Sequence, residues 1–143
     1  MKSVKNDKLL YVDCDDSLIL WNLSKYPKFP KVTINTVKGP CILAVHKKNI
    51  NLLIKFAKLG YGIVLWSGSG YRWAEKVAKA VGIDQYVDIY LCKPQYYLDD
   101  FPCQYWMGTR IYRDPVTGID AYNKVQGELE TESLPEKLKK KKK

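Results

Sequence analysis

Twice along the chain, a segment with apolar residues at helical spacing lies between two short apolar runs, and this pattern restricts the possible folds. The first helical pattern covers residues 46–59 and ends before Gly60, and the second covers residues 71–81 and ends before Gly82. Glycine terminates helices well because it adopts left-handed backbone angles at little cost. Apolar runs typical of buried strands lie at 8–13, 61–66 and 86–91, with a shorter strand predicted at 95–98. This alternation predicts an α/β fold with a mainly parallel sheet.

Polar and charged residues follow the ends of these predicted strands. Right-handed crossovers place the carboxyl ends of parallel strands at one edge of the sheet, where ligands bind in open α/β folds. The residues at those ends are the acids of 13–16, Ser67, Lys93 and the pair Asp99–Asp100. We therefore expect these residues to converge on one crevice.

The remaining segments have less regular patterns. Residues 24–41 hold three prolines and the alternating sequence KVTINTV, which predict a small flap or hairpin inserted into a domain of residues 1–123. Residues 104–114 are compatible with a further strand, and the sequence DPVTG at 114–118 predicts a turn. Residues 124–143 are polar and rich in lysine, so we expect a disordered tail.

The net charge of the chain is +9, and only part of it lies in the tail. Residues 128–143 contain six lysines and four glutamates, a net charge of +2, so +7 belongs to the rest of the chain. A basic body favours anionic partners such as phosphate esters, nucleotides or nucleic acid, bound through the surface or the tail. The alternative is a basic protein without a specific anionic partner. No run of apolar residues is long enough to span a membrane, so we expect no membrane association.

The cysteines argue against a zinc site. The chain has four scattered cysteines without a CxxC pair, and His46 is its single histidine, expected to begin or flank a helix. Reduced thiols in the cytoplasm are the simplest interpretation. We expect a monomer or a small homo-oligomer.

Two carboxylates after the first strand carry the candidate chemistry. Asp13 and Asp15 stand two residues apart in the sequence DCDDS, so both can point into the crevice. One carboxylate can attack a phosphorus atom while the other protonates the leaving oxygen. Because two anions cannot approach a phosphate without countercharge, this chemistry needs a hard cation, and Mg²⁺ with carboxylate ligands fits. Asp99 and Asp100 supply further carboxylates.

The phosphate itself also needs positive charge and hydrogen-bond donors. Lys93 can neutralise both the nucleophile and the phosphate. Ser67 and Gly68 begin the turn SGSG, which opens the second helix and can bind an anion through backbone N–H groups.

Together these motifs resemble the haloacid dehalogenase superfamily. The chain has LLYVDCDDSL, IVLWSGSG, CKP and YYLDD in the order of the four family motifs, within residues 8–101. The stretches from YGIVLWSGSGYRW to KPQYYLDD particularly resemble short, cap-poor members, including those of bacteriophages. The resemblance implies a Rossmann-like three-layer sandwich with a minimal cap. It also implies a Mg²⁺-dependent phosphatase that forms an aspartyl-phosphate.

The resemblance implies a role for each motif residue. Asp13 would be the nucleophile and a metal ligand, and Asp15 the general acid and base, with its backbone carbonyl on Mg²⁺. Ser67 would bind a phosphoryl oxygen, and Lys93 would stabilise the aspartyl-phosphate. Asp99–Asp100 would bind Mg²⁺, with Asp100 acting directly or through water.

The chain departs from the family pattern at three places. Asp16 replaces a frequent glycine and Ser17 replaces the commoner threonine. Lys93 precedes Asp99 by only six residues, where relatives place more chain. Lys93 therefore either reaches the crevice from its own strand end or lies elsewhere on the surface.

Three functions are compatible with these motifs. The first is hydrolysis of a small phosphate ester such as a nucleotide, and the second is dephosphorylation of a polynucleotide end or a phosphoprotein. The third is a non-catalytic module that binds nucleic acid. Aromatic side chains near the predicted site either pack in the core or form a stacking wall for a nucleobase. They are Trp21, Tyr26, Phe29, Trp66 and Trp73.

Overall fold

The structure is a computed structural model that describes residues 7–118. The chain divides into two compact units, the first ending at Pro94 and the second beginning at Gln95. The prediction of a disordered tail at 124–143 lies outside the described residues.

The first unit is a mixed α/β structure. Its helices are α1 (Lys47–Lys58) and α2 (Tyr71–Val81). Its strands are β1 (Leu9–Asp13), β2 (Ile19–Leu20), β3 (Lys31–Thr36), β4 (Gly39–Val45), β5 (Gly62–Ser67) and β6 (Ile89–Cys92). The predicted α/β class with a parallel sheet is confirmed at this level.

The parallel sheet has the strand order β1–β5–β6, with β5 in the centre. Asp13 pairs with Trp66, and Ser67 pairs with Cys92. The central strand is a continuous apolar run because both of its faces are covered, and Ile63, Val64 and Leu65 are at most 1% exposed. The register brings the carboxyl ends of the three strands to one edge.

Both predicted helices are present close to their predicted bounds. His46 forms the N-cap of α1, as expected, and its Nδ1 accepts a hydrogen bond from the Asn49 backbone N–H at 3.2 Å. Helix α2 ends at Gly82, which has a left-handed φ of 76°. The helices bury their apolar faces, and Val77 of α2 is fully buried. No helix within residues 7–118 is both long and apolar enough to cross a membrane.

A second, antiparallel sheet lies between β1 and α1 in the chain. Its order is β2–β4–β3, and β3 and β4 form a hairpin in which Thr36 pairs with Gly39. The hairpin was predicted within 24–41, but its second strand continues to Val45. The continuation forms because β4 also pairs with β2 and its last three residues are buried.

The second unit contains no strand between residues 95 and 118. The strand predicted at 95–98 is therefore wrong, and 104–114 forms no strand either. Pro94 lacks the N–H that a strand would use, and Tyr96 and Leu98 are almost fully exposed, so no partner strand or core holds this segment extended. The predicted turn at 114–118 is confirmed, because Asp114 Oδ1 accepts two backbone N–H groups at 2.9 Å each.

The buried central strand gives a test of this core. Replacing Leu65 with Ala removes a fully buried side chain from β5 and should lower the free energy of unfolding by about 2–5 kcal/mol. Replacing Leu9 with Ala, at a β1 position that is 44% exposed, should cost clearly less. Urea unfolding followed by circular dichroism measures both changes. Equal losses would contradict the assignment of β5 to the core.

Candidate active site

Three polar side chains meet at the carboxyl edge of the parallel sheet. Asp13 is the last residue of β1, Ser67 is the last residue of β5, and Lys93 directly follows β6. The Lys93 backbone N–H donates a hydrogen bond to the Ser67 carbonyl at 3.0 Å, which extends the pairing of β5 and β6 by one residue. The predicted convergence is therefore present for the motif residues of the first unit.

Lys93 lies at the crevice and forms an ion pair with Asp13. The distance from Lys93 Nζ to Asp13 Oδ1 is 3.0 Å, and the two side chains are 41% and 31% exposed. The other oxygen, Asp13 Oδ2, accepts a hydrogen bond from Ser17 Oγ at 3.1 Å. A pair this exposed contributes at most about 1 kcal/mol to stability. Its main consequence is therefore to place a positive charge beside the carboxylate.

The loop after Asp13 turns tightly around one carbonyl. The Cys14 carbonyl accepts hydrogen bonds from the backbone N–H groups of Ser17 and Leu18, at 3.2 and 2.9 Å. Within this turn Asp16 has a φ of +59°, the left-handed conformation that favours glycine. Aspartate tolerates this conformation better than most residues. The geometry explains why aspartate can occupy a position where glycine is frequent in the family that the chain resembles.

The carboxyl group of Asp15 is held by two tryptophans. Asp15 Oδ1 accepts hydrogen bonds from Trp21 Nε1 at 2.9 Å and from Trp73 Nε1 at 3.1 Å. The two indole rings stack on each other, with centroids 6.2 Å apart and an interplanar angle of 26°. Ser67 Oγ lies 3.4 Å from the other oxygen, Asp15 Oδ2. The sequence pointed to these tryptophans as packing or stacking residues, and their hydrogen bonds to Asp15 were not predicted.

Ser67 is completely buried at the start of the SGSG turn. Its Oγ accepts a hydrogen bond from the Ser69 backbone N–H at 3.0 Å, which fixes the hydroxyl at the strand end. Gly68 is exposed, and a side chain added there would meet no atom within 4 Å. Helix α2 begins immediately after Gly70, and helix N-termini carry a partial positive charge. The turn therefore combines a fixed hydroxyl with an accessible backbone beside a helix N-terminus.

Cys14 lies between Asp13 and Asp15 in the sequence, but its thiol is unreactive. Its side chain is fully buried, and burial is the main cause that raises the pKa of the thiol to about 12. The negative charges of Asp13 and Asp15 raise this pKa further, and Lys93 opposes them. The thiol therefore stays protonated at neutral pH. All four cysteines lie within the described residues, and all are free thiols.

Asp99 and Asp100 belong to the second unit, and both are exposed. Asp99 Oδ1 accepts a hydrogen bond from the Phe101 backbone N–H at 3.0 Å. This bond, together with a hydrogen bond involving Asp100, lowers the pKa of Asp99. Their role as metal ligands stays a prediction.

The donor atoms of the first unit fit Mg²⁺ by their chemistry. Among the residues described, no group of three or more His, Cys, Asp or Glu side chains is gathered at one point. Mg²⁺ does not need such a cage, because it is commonly held by one or two carboxylates, waters and substrate phosphate oxygens. Asp13 is a half-exposed carboxylate of this kind at the strand ends.

The other aromatic candidates pack inside the first unit. Tyr26 is buried with Leu20 and Ala44, and its ring lies 5.0 Å from that of Phe29. Trp66 lies beneath the Lys93 ammonium, with Nζ 5.8 Å from the ring centroid. For Tyr26 and Phe29 the packing alternative is therefore correct.

Comparisons with known proteins give no relative for this chain. No protein-family model matches it, and no curated protein or solved structure is significantly similar to it. The family resemblance is therefore carried by the motifs alone.

The left-handed residue of the loop can be tested by substitution. Replacing Asp16 with Val should lower the free energy of unfolding by about 1–3 kcal/mol, because a β-branched side chain disfavours a φ of +59°. The same substitution removes the acceptor for the Trp21 backbone N–H at 3.2 Å. Replacing Asp16 with Asn, which tolerates the conformation and keeps an acceptor oxygen, should change stability by less than about 0.5 kcal/mol. A Val variant as stable as the wild type in urea unfolding would contradict this loop geometry.

The burial of the Cys14 thiol can be tested by selective alkylation of the cysteines. At pH 8, iodoacetamide should modify exposed Cys92 and leave Cys14 unmodified, because Cys14 is inaccessible and has a pKa of about 12. In urea both thiols should react. Peptide mass spectrometry identifies the sites, and rapid native modification of Cys14 would refute its burial.

Proposed function

We propose that this chain is a Mg²⁺-dependent phosphomonoester hydrolase that forms an aspartyl-phosphate on Asp13. The observation that carries the proposal is the Lys93–Asp13 ion pair of 3.0 Å at the strand ends, where Asp15 and Ser67 also lie. We further propose a haloacid dehalogenase-like fold, a Rossmann-like three-layer sandwich with a minimal cap formed by residues 19–45.

Asp13 acts as the nucleophile in this proposal. A carboxylate is a weak nucleophile, and a phosphate dianion repels it unless positive charge lies between or beside them. The Lys93 ammonium supplies that charge to the Asp13 carboxylate at 3.0 Å. Asp13 keeps 31% of its side chain exposed, so a substrate can reach it.

Ser67 binds a phosphoryl oxygen. Its Oγ already accepts a hydrogen bond from the Ser69 N–H, so its own hydrogen remains available as a donor. In the structure this hydrogen faces Asp15 Oδ2 at 3.4 Å, a long distance for a hydroxyl donor. Because Ser67 is fully buried, a phosphoryl oxygen would have to replace Asp15 Oδ2 as its acceptor.

Asp15 transfers the proton in both half-reactions. As an Asp13 oxygen attacks phosphorus, the bond to the leaving oxygen breaks, and the proton of Asp15 passes to that oxygen. A water molecule then attacks the phosphorus of the aspartyl-phosphate while the Asp15 carboxylate accepts a proton from it. The products are the alcohol, inorganic phosphate and the original Asp13 carboxylate.

The proposed cofactor is Mg²⁺, which the Asp13 carboxylate and the Asp15 backbone carbonyl would hold in the first unit. When bound, it supplies charge neutralisation for the phosphate oxygens. The cytoplasm, or the host cytoplasm for a viral chain, is the proposed location.

The proposed substrate is a small phosphate ester such as a nucleotide. A polynucleotide end is the second candidate, favoured by the net charge of +9. Turnover of mononucleotides compared with oligonucleotides phosphorylated at the 3′ or 5′ end separates these two substrates.

Replacing Asp13 or Lys93 should reduce phosphatase activity to different extents. With p-nitrophenyl phosphate and Mg²⁺, Asp13→Asn should reduce kcat by at least about 10³-fold, because an amide cannot form the intermediate. Lys93→Ala should reduce kcat by about 10²-fold, because it removes the charge beside the nucleophile. Lys79→Ala, which removes an exposed lysine of α2, is the matched control and should retain wild-type activity. EDTA should abolish turnover.

A wild-type protein that hydrolyses no phosphate ester would contradict the proposal. So would an Asp13→Asn variant that retains wild-type turnover. Salt-sensitive binding of nucleic acid without hydrolysis would instead favour the non-catalytic module.

A further inference from the structure

The two tryptophans at Asp15 form a polar arrangement that packing alone does not explain. Trp21 is 48% exposed, so its position buries only part of an indole ring. Its N–H nevertheless reaches Asp15 Oδ1 at 2.9 Å, and the N–H of Trp73 reaches the same oxygen at 3.1 Å. Two donors from separate elements thus meet on one carboxylate oxygen.

This geometry distinguishes the two oxygens of Asp15. An indole N–H donates only, so both tryptophans require an acceptor at Oδ1. A carbonyl oxygen accepts two hydrogen bonds better than a hydroxyl oxygen does, so the two N–H groups favour Oδ1 as the carbonyl oxygen and Oδ2 as the oxygen that carries the proton when Asp15 acts as an acid. Oδ2 is the oxygen that lies 3.4 Å from Ser67 Oγ, on the side where the proposed phosphoryl group binds.

Further contacts connect the tryptophans to the rest of the unit. The Trp21 backbone N–H donates to Asp16 Oδ1 at 3.2 Å, which ties this residue to the loop after β1. Trp73 lies in the first turn of α2, and the same helix is joined to β3 by a hydrogen bond from Lys76 Nζ to the Asn35 carbonyl at 3.0 Å. The stacked rings therefore hold Asp15 between the antiparallel sheet and helix α2.

We propose that Trp21 and Trp73 are positioning residues that direct the proton on Asp15 Oδ2 toward the leaving oxygen. This inference rests on the proposed function and identifies its substrate class as esters of unactivated alkyl alcohols. An alkoxide is a poor leaving group and needs a proton as the P–O bond breaks, whereas a nitrophenolate leaves without one. An oriented acid therefore accelerates the first half-reaction of alkyl esters, whereas its effect on hydrolysis of the aspartyl-phosphate is the same for both kinds of ester.

The test compares two esters in variants that remove the indole N–H and keep an aromatic ring. The esters are β-glycerophosphate, an alkyl ester, and p-nitrophenyl phosphate, an aryl ester. The measured quantity is kcat/KM, because it covers only the steps up to release of the alcohol and not the hydrolysis of the common aspartyl-phosphate. In Trp21→Phe and in Trp73→Phe, the ratio of alkyl to aryl kcat/KM should fall by about 10-fold, and in the double variant by about 10²-fold. Trp66→Phe is the control for losing an indole near the strand ends. Trp66 contacts Tyr11 and lies beneath Lys93, so its replacement should change both rate constants in proportion and leave the ratio at the wild-type value.

A double-mutant cycle tests whether the tryptophans act through Asp15. In an Asp15→Asn background the acid is absent, so Trp73→Phe should no longer change the ratio. A tryptophan with a purely structural role would lower both rates together in every background and leave the ratio constant. Because Trp21 lies at the surface, Trp21→Phe provides the same test if Trp73→Phe fails to fold.

The outcomes separate this inference from the proposed function. Turnover of both esters by the wild type, with ratios unchanged in both tryptophan variants, overturns the positioning role and leaves the phosphatase standing. No turnover of either ester by the wild type overturns both. A fall of the ratio in the tryptophan variants but not in Trp66→Phe supports the inference.

Discussion

The backbone N–H of Lys93 donates a hydrogen bond to the Ser67 carbonyl at 3.0 Å, and the rest of the site depends on this continuation of the parallel sheet. The bond fixes the point where the chain leaves β6, so the Lys93 side chain lies beside β5 and reaches across to β1. Its Nζ then lies 3.0 Å from Asp13 Oδ1. An exposed ion pair adds little stability. The pairing of the strands therefore determines where Lys93 and Asp13 lie, and their ion pair contributes little to the stability of the sheet.

A second set of contacts joins the antiparallel sheet to Asp15, the proposed general acid. Asp15 lies after β1, Trp21 follows β2, and Trp73 belongs to α2, so one carboxylate receives donors from two other elements. The insertion between β1 and α1 thus supplies a hydrogen-bond donor to the proposed acid. The strained Asp16 backbone is part of the same arrangement, since Asp16 Oδ1 binds the Trp21 backbone N–H.

Much of this arrangement could be predicted from the sequence, because local patterns determine it. The apolar run of β5, the glycine after α2 and the polar residues after strands are all visible in one segment at a time. The strand predicted at 95–98 was wrong because tyrosine and leucine favour strands only where a partner and a core are present. The hydrogen bonds of Trp21 and Trp73 to Asp15 were missed because they join residues 6 and 58 positions apart along the chain. No local sequence pattern distinguishes a tryptophan that only packs in the core from one whose N–H donates a hydrogen bond to a carboxylate.

Asp13 is the proposed nucleophile, and trapping a phosphoryl mimic on it is the sharpest test of that role. Beryllofluoride mimics a phosphoryl group on aspartate, so a crystal structure of the full chain with Mg²⁺ and beryllofluoride shows which carboxylate reacts. We expect a Mg²⁺-dependent adduct on Asp13, with Lys93 and Ser67 in contact with its fluorine atoms. An adduct on another residue, or none at saturating reagent, would contradict it.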